Sequence, residues 1–582
     1  MCYTLHINLI LSVILLLQSN QASAKFIVLD PSRSIHSQLQ INECVYEIRN
    51  EFDLKGKELK IPENSTLVFR GGKLSNGGVS FANTRIEGSA CIELGPNCQI
   101  SGTLENELIY TEWFKLNEKH ELTDLLNCLI KSNINKEIHV QSGTYYISRP
   151  LVMRNCSGIT IDFNESVIID NIKGENELLH RPNPTIWVRS SHNIEIRNFI
   201  YEVGDERYFS KVGTAIIWIG AISQDWDVDT YGIVLRDLQG RGDIVKKVKG
   251  GVSSNMFISG VGNMHNIQVY NIQYDGDLAS LCNFEYGLQP ATEKEYKSKY
   301  KIILPDYYGL HPFNITIKDV VGKNAPSCTG FIRLSSCYNV VVENCYGYNV
   351  NSYIYLYNGD MSISRVNGSV TIRNCSSYVN SDYNGKSISG LLLFTTYSNP
   401  VDNKEHSGYI EHNTSYLIEN CEFQGKAGLS GDGIRISGGD GNMTFRNVTV
   451  KNFDYGTKIS GVQNHIKRGG LSFDNCSFID NNTAVKLYWI EKCSFNGCLF
   501  RNSIIHNSDY ITDSQIEVYS GVKGISLRDC YFEEKNKNNK GSFLFFEQNT
   551  NAIVENCSFI GSKNEKPIKI PSSVVLNHCE LK

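Results

Sequence analysis

The sequence predicts an all-β protein built as a stacked solenoid, and three observations predict it. The first is a short strand motif that recurs through the chain: NIEIRNF (193–199), NIQVYNI (266–272), NITIKDV (314–320), NVVVENC (339–345), SVTIRNC (369–375) and SYLIENC (415–421). It continues as NMTFRNV (442–448), GLSFDNC (470–476), KCSFNGC (492–498), GISLRDC (524–530) and NAIVENC (551–557). The second is spacing. The turn positions Asn344, Asn374, Asn420, Asn447, Asn475, Gly497, Asp529 and Asn556 lie 22 to 46 residues apart, with no amphipathic helix between copies. The third is composition: 58 Asn and 18 Cys in 582 residues, and 20% charged residues where about 25% is usual.

Taken in chain order, the first element is an address. Leu9 to Leu17 is an almost unbroken apolar run, and Ala22-Ser23-Ala24 is a small-residue cleavage pattern before Lys25, so residues 1–24 read as a secretory signal peptide. The run is too short to span a membrane, and the mature chain is expected to be secreted, periplasmic or on the cell surface. Residues 25–112 carry short alternating strands broken by Gly and Asn turns, and read either as a β-rich N-terminal cap or as narrower coils. LTDLLNCLIKS (122–132) has the pattern of a short amphipathic capping helix, followed by the strand KEIHVQSGTYYIS (136–148).

From 193 onward the repeat dominates. A coil of this size cannot bury its own apolar face, so copies must stack, with equivalent side chains about 4.8 Å apart. The recurrent Asn is expected to form an internal ladder of side-chain amides, each donating to the next. Removing Cys2 with the leader leaves 17 Cys, an odd number, and the uniform position of the Cys after the turn favours reduced packing thiols over disulfides.

On these motifs the chain resembles the right-handed parallel β-helix proteins of the pectin-lyase-like superfamily, over about residues 115 to 582. The resemblance implies an exported, bacterial-type β-helix over 113–582, interrupted by insertions at 273–313 and 398–414. It also implies that the strand after each Asn turn lines a cleft. Period two assigns the alternate aliphatics of those strands inward, which leaves Trp218, Phe257, Arg333, Tyr355, Leu392, Arg435, Lys458 and Lys486 facing out.

That column is basic and aromatic on a chain of net charge −5. Aromatic faces stack on sugar rings, and Arg or Lys pairs with uronate or sulfate. The expected ligand is therefore an anionic polysaccharide. Two chemistries fit. In a hydrolase, Asp360 and Asp440, two coils apart in a turn column that also holds Tyr397, would approach the roughly 6.5–9.5 Å of an inverting pair; NGD and GGD also read as plain turns. In a lyase, Arg333 and Arg435 would neutralise a uronate carboxylate while Tyr355 or Lys458 moves the proton. Trp218, Phe257, Lys458, Lys486, Tyr397 and His311 are the expected substrate contacts. Asp275 and Asp277 are a possible Ca²⁺ pair, although EF-hand spacing is absent.

No phosphate-cradling glycine loop, H-E-x-x-H or G-x-S-x-G occurs, and GIRIS (433–437) is only a partial echo of the polygalacturonase R-I-K. A pI near 6.3 gives no footprint for nucleic acid. The expected molecule is a monomer without a membrane span in its mature chain. The rival reading is a non-catalytic, glycan-binding or adhesive solenoid.

Overall fold

Each repeat copy carries too few apolar residues to bury a face by itself, so the copies share one core by stacking. The computed structural model describes residues 25–95, 99–115, 121–133, 135–177, 181–220, 229–285, 312–357, 368–394, 414–437, 442–461, 470–503, 514–519, 521–535, 542–548, 550–561 and 568–582. The expected leader, residues 1–24, lies outside them. The chain divides into two units, residues 1–146 with 156–166, and residues 147–155 with 167–582.

In the first unit, strands pair in parallel through Val45↔Thr66 and Thr66↔Arg85, partners 21 and 19 residues apart. Residues 44–88 therefore wind as narrow coils, with Tyr46, Ile48, Leu67 and Phe69 buried between them. The helix Thr123–Ser132 buries Leu125, Leu126, Leu129 and Ile130, the i, i+1, i+4, i+5 face that an amphipathic helix turns to a core.

In the second unit one coil is legible in residues 338–357. The strand Tyr338–Glu343 ends at Asn344, Cys345 leads into Tyr346–Val350, and the chain bends into Ser352–Tyr357. The next coil pairs with it in parallel register, Val340↔Val370, Tyr346↔Ser376 and Tyr355↔Leu392. The third strand of each coil belongs to one parallel sheet of 14 strands, from Leu151–Arg154 to Ile568–Lys569. Crossovers between parallel strands of one sheet are right-handed, and the fold is a right-handed parallel β-helix with a short helix near its N-terminal end. Among the described residues no helix is long and apolar enough to cross a membrane.

The ladder forms, but on the surface rather than inside. Asn344, Asn374, Asn420, Asn447 and Asn475 all hold φ between 52° and 54°, the left-handed region that Asn tolerates better than other side-chain-bearing residues. Their amides point along the outer edge: Asn420 Nδ2 donates to Asn374 Oδ1 at 3.4 Å, and Asn447 Nδ2 to Asn420 Oδ1 at 3.0 Å. The left-handed turn swings the next residue inward instead. Cys375, Cys421 and Cys476 are buried free thiols, and each Sγ–H donates to a carbonyl two residues back, as from Cys375 to Arg373 O at 3.2 Å. Deeper in the core, Phe478, Phe500, Phe532 and Phe559 stack face to face with centroids 5.1, 4.6 and 4.7 Å apart.

The outward ladder predicts a graded response at Asn447. Asn447→Gly keeps the left-handed turn and loses one amide hydrogen bond, about 0.5–1.5 kcal/mol. Asn447→Val adds the left-handed penalty of roughly 1–2 kcal/mol on top. Urea unfolding of both variants measures the step; equal losses would show that the turn conformation contributes nothing.

Candidate functional site

The outer face of the 14-stranded sheet is set by register. Trp187↔Trp218↔Ser259↔Asn283↔Arg333↔Tyr355↔Leu392↔Arg435↔Lys458↔Lys486↔Glu517 pair in one unbroken row across successive coils. The flanking residues Ile217, Ile258, Ile332, Ile354, Leu391 and Ile434 are buried. Period two thus brings Arg333, Tyr355, Arg435, Lys458 and Lys486 into one line, with the hydrophobic alternation supplying the force that holds it.

Two expected members differ. Phe257 is fully buried and packs on Phe199, Tyr201 and Tyr274; the residue of its strand in the outer row is Ser259. Each strand enters the sheet through a bend at which two successive residues face the core. Phe257 with Ile258 and Tyr353 with Ile354 are such pairs, all four fully buried. Gly433 precedes Ile434 in the same way, and a Cβ there would lie 2.2 Å from Val450 Cγ1. Trp218 is in the row, yet only 2% exposed. It clusters with Trp187 and Ala215, and the Arg181 guanidinium lies 4.8 Å over its ring. Asp360, Asp440, Tyr397 and His311 lie outside the described residues.

The cations of the row rest on aromatic rings. Arg333 lies 5.5 Å over Tyr355 and Arg435 5.7 Å over Phe394. Lys458 and Lys486 lie 5.0 and 5.1 Å from the Tyr455 ring, and Lys486 also 5.1 Å from Tyr519. Such contacts contribute about 0.5–1 kcal/mol at exposed sites and more where water is excluded. Burial alone would push the Lys486 ammonium down, but Glu517 and the surrounding tyrosines hold it above its ordinary range; the Lys486 Nζ–Glu517 Oε2 distance is 3.4 Å.

Three acids lie on this face, Glu285, Asp432 and Glu517; the sequence offers only Glu285, as a wall of the groove within the 273–313 insertion, and the structure places it at the end of the strand Ser280–Glu285. Asp432 stands three residues before Arg435, and strict alternation would put the two on opposite faces. The bend at Gly433–Ile434 brings them together, 3.8 Å apart. Burial raises the Asp432 carboxyl above its ordinary 3.8, against the pull of Lys458 and Arg435, and Asp454 on the next coil adds a like charge. Burial raises Glu285 likewise, opposed by Arg333 and Arg181.

These shifts carry a pH prediction. A raised carboxyl takes its proton as pH falls through a value above the ordinary carboxylate range, which leaves Arg435 and Arg333 without their counter-charges. Retention of dextran sulfate, whose charges do not titrate, is expected to strengthen as pH falls from 7 toward 4. In Asp432→Asn that gain shrinks. Affinity electrophoresis across the range reads both, and a flat profile in the parent protein would refute the coupling.

Among the described residues one group has the donor set of a metal site: Glu137, His139 and Asp162 of the first unit, with ligand atoms within 4.8 Å of one another. The Ca²⁺ candidates each accept a hydrogen bond from a neighbouring coil. Asp275 Oδ1 accepts from Asn324 Nδ2 at 2.7 Å, and Asp277 Oδ1 from the Ser327 N–H at 2.9 Å.

No family model and no curated protein matches the chain. Several solved structures are similar in fold. The A-module of a mannuronan C-5 epimerase from Azotobacter vinelandii is 11% identical, with 76% of this chain and 86% of that one covered and a TM-score of 0.34. A tailspike of an E. coli bacteriophage, solved with a hexasaccharide, is 10% identical over 92% and 71% of the two chains, TM-score 0.39. An alginate lyase complexed with a trisaccharide is 11% identical over 96% and 89%, TM-score 0.32. On its own strand registers the chain is a right-handed parallel β-helix, the fold that its sequence resemblance to the pectin-lyase-like superfamily implies.

Proposed function

We propose that the protein is an exported, carbohydrate-active β-helix that binds an anionic polysaccharide along the outer face of the 14-stranded sheet and cleaves it by β-elimination. The observation that carries this reading is the row Arg333, Tyr355, Arg435, Lys458 and Lys486, five groups on successive or near-successive coils, each cation seated against an aromatic ring. Elimination needs a positive group on the uronate carboxylate, to stabilise the charge that develops when the neighbouring proton leaves. It also needs a proton-transfer group beside it. Arg333 or Arg435 fills the first role and Tyr355, flanked by Arg333, the second.

Hydrolysis is the second reading, and one observation favours it. Asp432, its carboxyl raised by burial, has the carboxylate of Asp454 one coil away, and adjacent coils are about 4.8 Å apart, near the spacing of a retaining pair. By contrast Glu285 and Asp432 are four strands apart in the sheet, about 19 Å along the stack, too far to act together.

Incubation with a panel of polyuronates separates the readings. Elimination gives unsaturated products absorbing near 235 nm, and hydrolysis gives reducing ends without that absorbance. Tyr355→Phe is expected to lower turnover about 10²-fold or more while retention on the same polymer is unchanged. Reducing ends alone, lost in Asp432→Asn, would transfer the activity to the Asp432 pair. No product from any polymer would leave the glycan-binding solenoid as the function.

A further inference from the structure

The first unit carries a side-chain set that the outer row does not involve. The strand Glu137–His139 pairs in parallel with Leu108–Tyr110 on one side and with Thr160–Asp170 on the other. One register line reads Tyr110↔His139↔Asp162, and the other reads Leu108↔Glu137↔Thr160. Ile109, Ile138 and Ile161 are fully buried, so period two turns the residues flanking them to the opposite, outer face. Glu137 and His139 therefore share that face, two places apart on one strand. Asp162 joins them as the partner of His139 on the next strand, about 4.8 Å away.

One donor atom from each of the three lies within 4.8 Å of the other two. Two donors bound to one Zn²⁺ ion each stand about 2.0–2.2 Å from it, which sets them about 3.4 Å apart in a tetrahedral arrangement and never more than about 4.4 Å. His139 Nδ1 and Asp162 Oδ2 are 3.9 Å apart, inside that range and longer than a hydrogen bond. The half-buried Glu137 side chain closes the rest by rotation. Both of the other groups are braced. The Tyr110 ring meets the His139 ring edge to face, centroids 5.6 Å apart and planes at 69°, and Asp162 Oδ1 accepts from the Asn164 N–H at 2.9 Å. Contacts of this kind orient a ligand before the ion arrives.

The surrounding charge favours a cation. Leu108 and Tyr110 line a cavity of about 700 Å³ that also holds Glu105, Glu107 and Glu112, with Arg85 as its one cation. Arg85 is itself paired with Glu87 at 2.8 Å, and Lys136 donates from Nζ to the Glu105 carbonyl at 2.8 Å. Glu105, Glu107, Glu112, Glu137 and Asp162 thus outnumber Arg85 and Lys136, and their field draws a positive ion to the three donors. The imidazole selects which ion. Ca²⁺ and Mg²⁺ take oxygen donors, whereas imidazole suits Zn²⁺ and its first-row neighbours. We infer that Glu137, His139 and Asp162 form a Zn²⁺-class metal site, which binds one dication and ties the strand Glu137–His139 to the strand Thr160–Asp170. Three protein ligands leave a position of the ion to water. An ion bound by the folded chain alone adds its binding free energy to the stability of the fold. The inference is independent of the proposed function.

Calorimetric titration of the full mature chain with Zn²⁺, after dialysis against a chelator, tests it. One tight equivalent is expected, which excess Ca²⁺ or Mg²⁺ does not displace, and the ion is expected to raise the unfolding temperature. His139→Ala and Asp162→Asn are each expected to weaken that equivalent about tenfold or more and to abolish the thermal shift. Asp162→Asn keeps the side-chain size and the acceptor for the Asn164 N–H, so it decides the matter if His139→Ala unfolds early without metal. Co²⁺ in place of Zn²⁺ reads the ligands directly, through a visible absorption band present in the parent and lost in both variants. Equal Zn²⁺ binding by the parent and Asp162→Asn would place the ion elsewhere and overturn the inference. Absence of bound Zn²⁺, or its displacement by Ca²⁺, would overturn it as well.

Discussion

The Arg435→Ala/Lys458→Ala double variant is expected to lose about 10²-fold or more in affinity for a polyuronate, measured by titration or affinity electrophoresis. The two residues are register partners on adjacent strands, so their charges lie about 4.8 Å apart along the stack and serve neighbouring carboxylates of one polymer. A hydrogen bond to a charged group contributes about 1.5–3 kcal/mol, and two of them lost together amount to roughly 3–6 kcal/mol. The effect falls with salt, because part of it is long-range attraction screened beyond about 8 Å at physiological ionic strength. Arg435→Lys is the informative control. It keeps the charge but loses the planar fork that holds a carboxylate at two points, and is expected to recover only part of the loss. Full retention in the double variant would remove the outer face from glycan binding.

The largest effect on stability is expected at Phe500. Its ring is fully buried and stacks between Phe478 and Phe532 at 5.1 and 4.6 Å, with Phe473 on the other strand row stacked on Phe495 at 4.8 Å. Phe→Ala in a packed core costs about 3–5 kcal/mol, the transfer term plus the cavity left behind. Each lost ring pair adds roughly 0.5–1.5 kcal/mol beyond area. Because a solenoid coil is supported chiefly by its two neighbours, the loss is expected to open the C-terminal coils before the rest. Urea unfolding followed by hydrogen exchange reads both: a lowered midpoint, and early exchange in 470–560 ahead of 186–285. Uniform loss of protection along the whole chain would show that the coils unfold as one.

Much of the outer face follows from alternation alone. In GIRIS and GTKIS the inward Ile residues settle the side of Arg435 and Lys458, since a single-residue slip would bury a charge and expose the core. Asp432 was out of reach of that reasoning for the same reason that Phe257 was misassigned. Both stand at the bend where alternation breaks for one residue, and no residue type announces the break: Phe257, Tyr353 and Gly433 all occupy it. Glu285 follows Asn283 at period two on the same strand face, and the stacking of Arg333 from the next coil joins it to the row. Trp218 falls in the row by alternation, but that it lies under Arg181 depends on the antiparallel pairing of Glu175–Asn176 with Arg181–Pro182, which strand periodicity does not describe.

By itself the sequence determined the coil, its inward aliphatic columns, the Asn turns and the reduced Cys behind them, because these repeat and each copy meets the same local sterics. The tertiary structure alone decided that the Asn ladder lies outside, that an acid sits beside Arg435, and that Arg207 and Asp170 form a buried pair between successive coils. Those features join residues from different coils or turn on a single bend, and their partners are chosen by packing in three dimensions rather than by spacing along the chain.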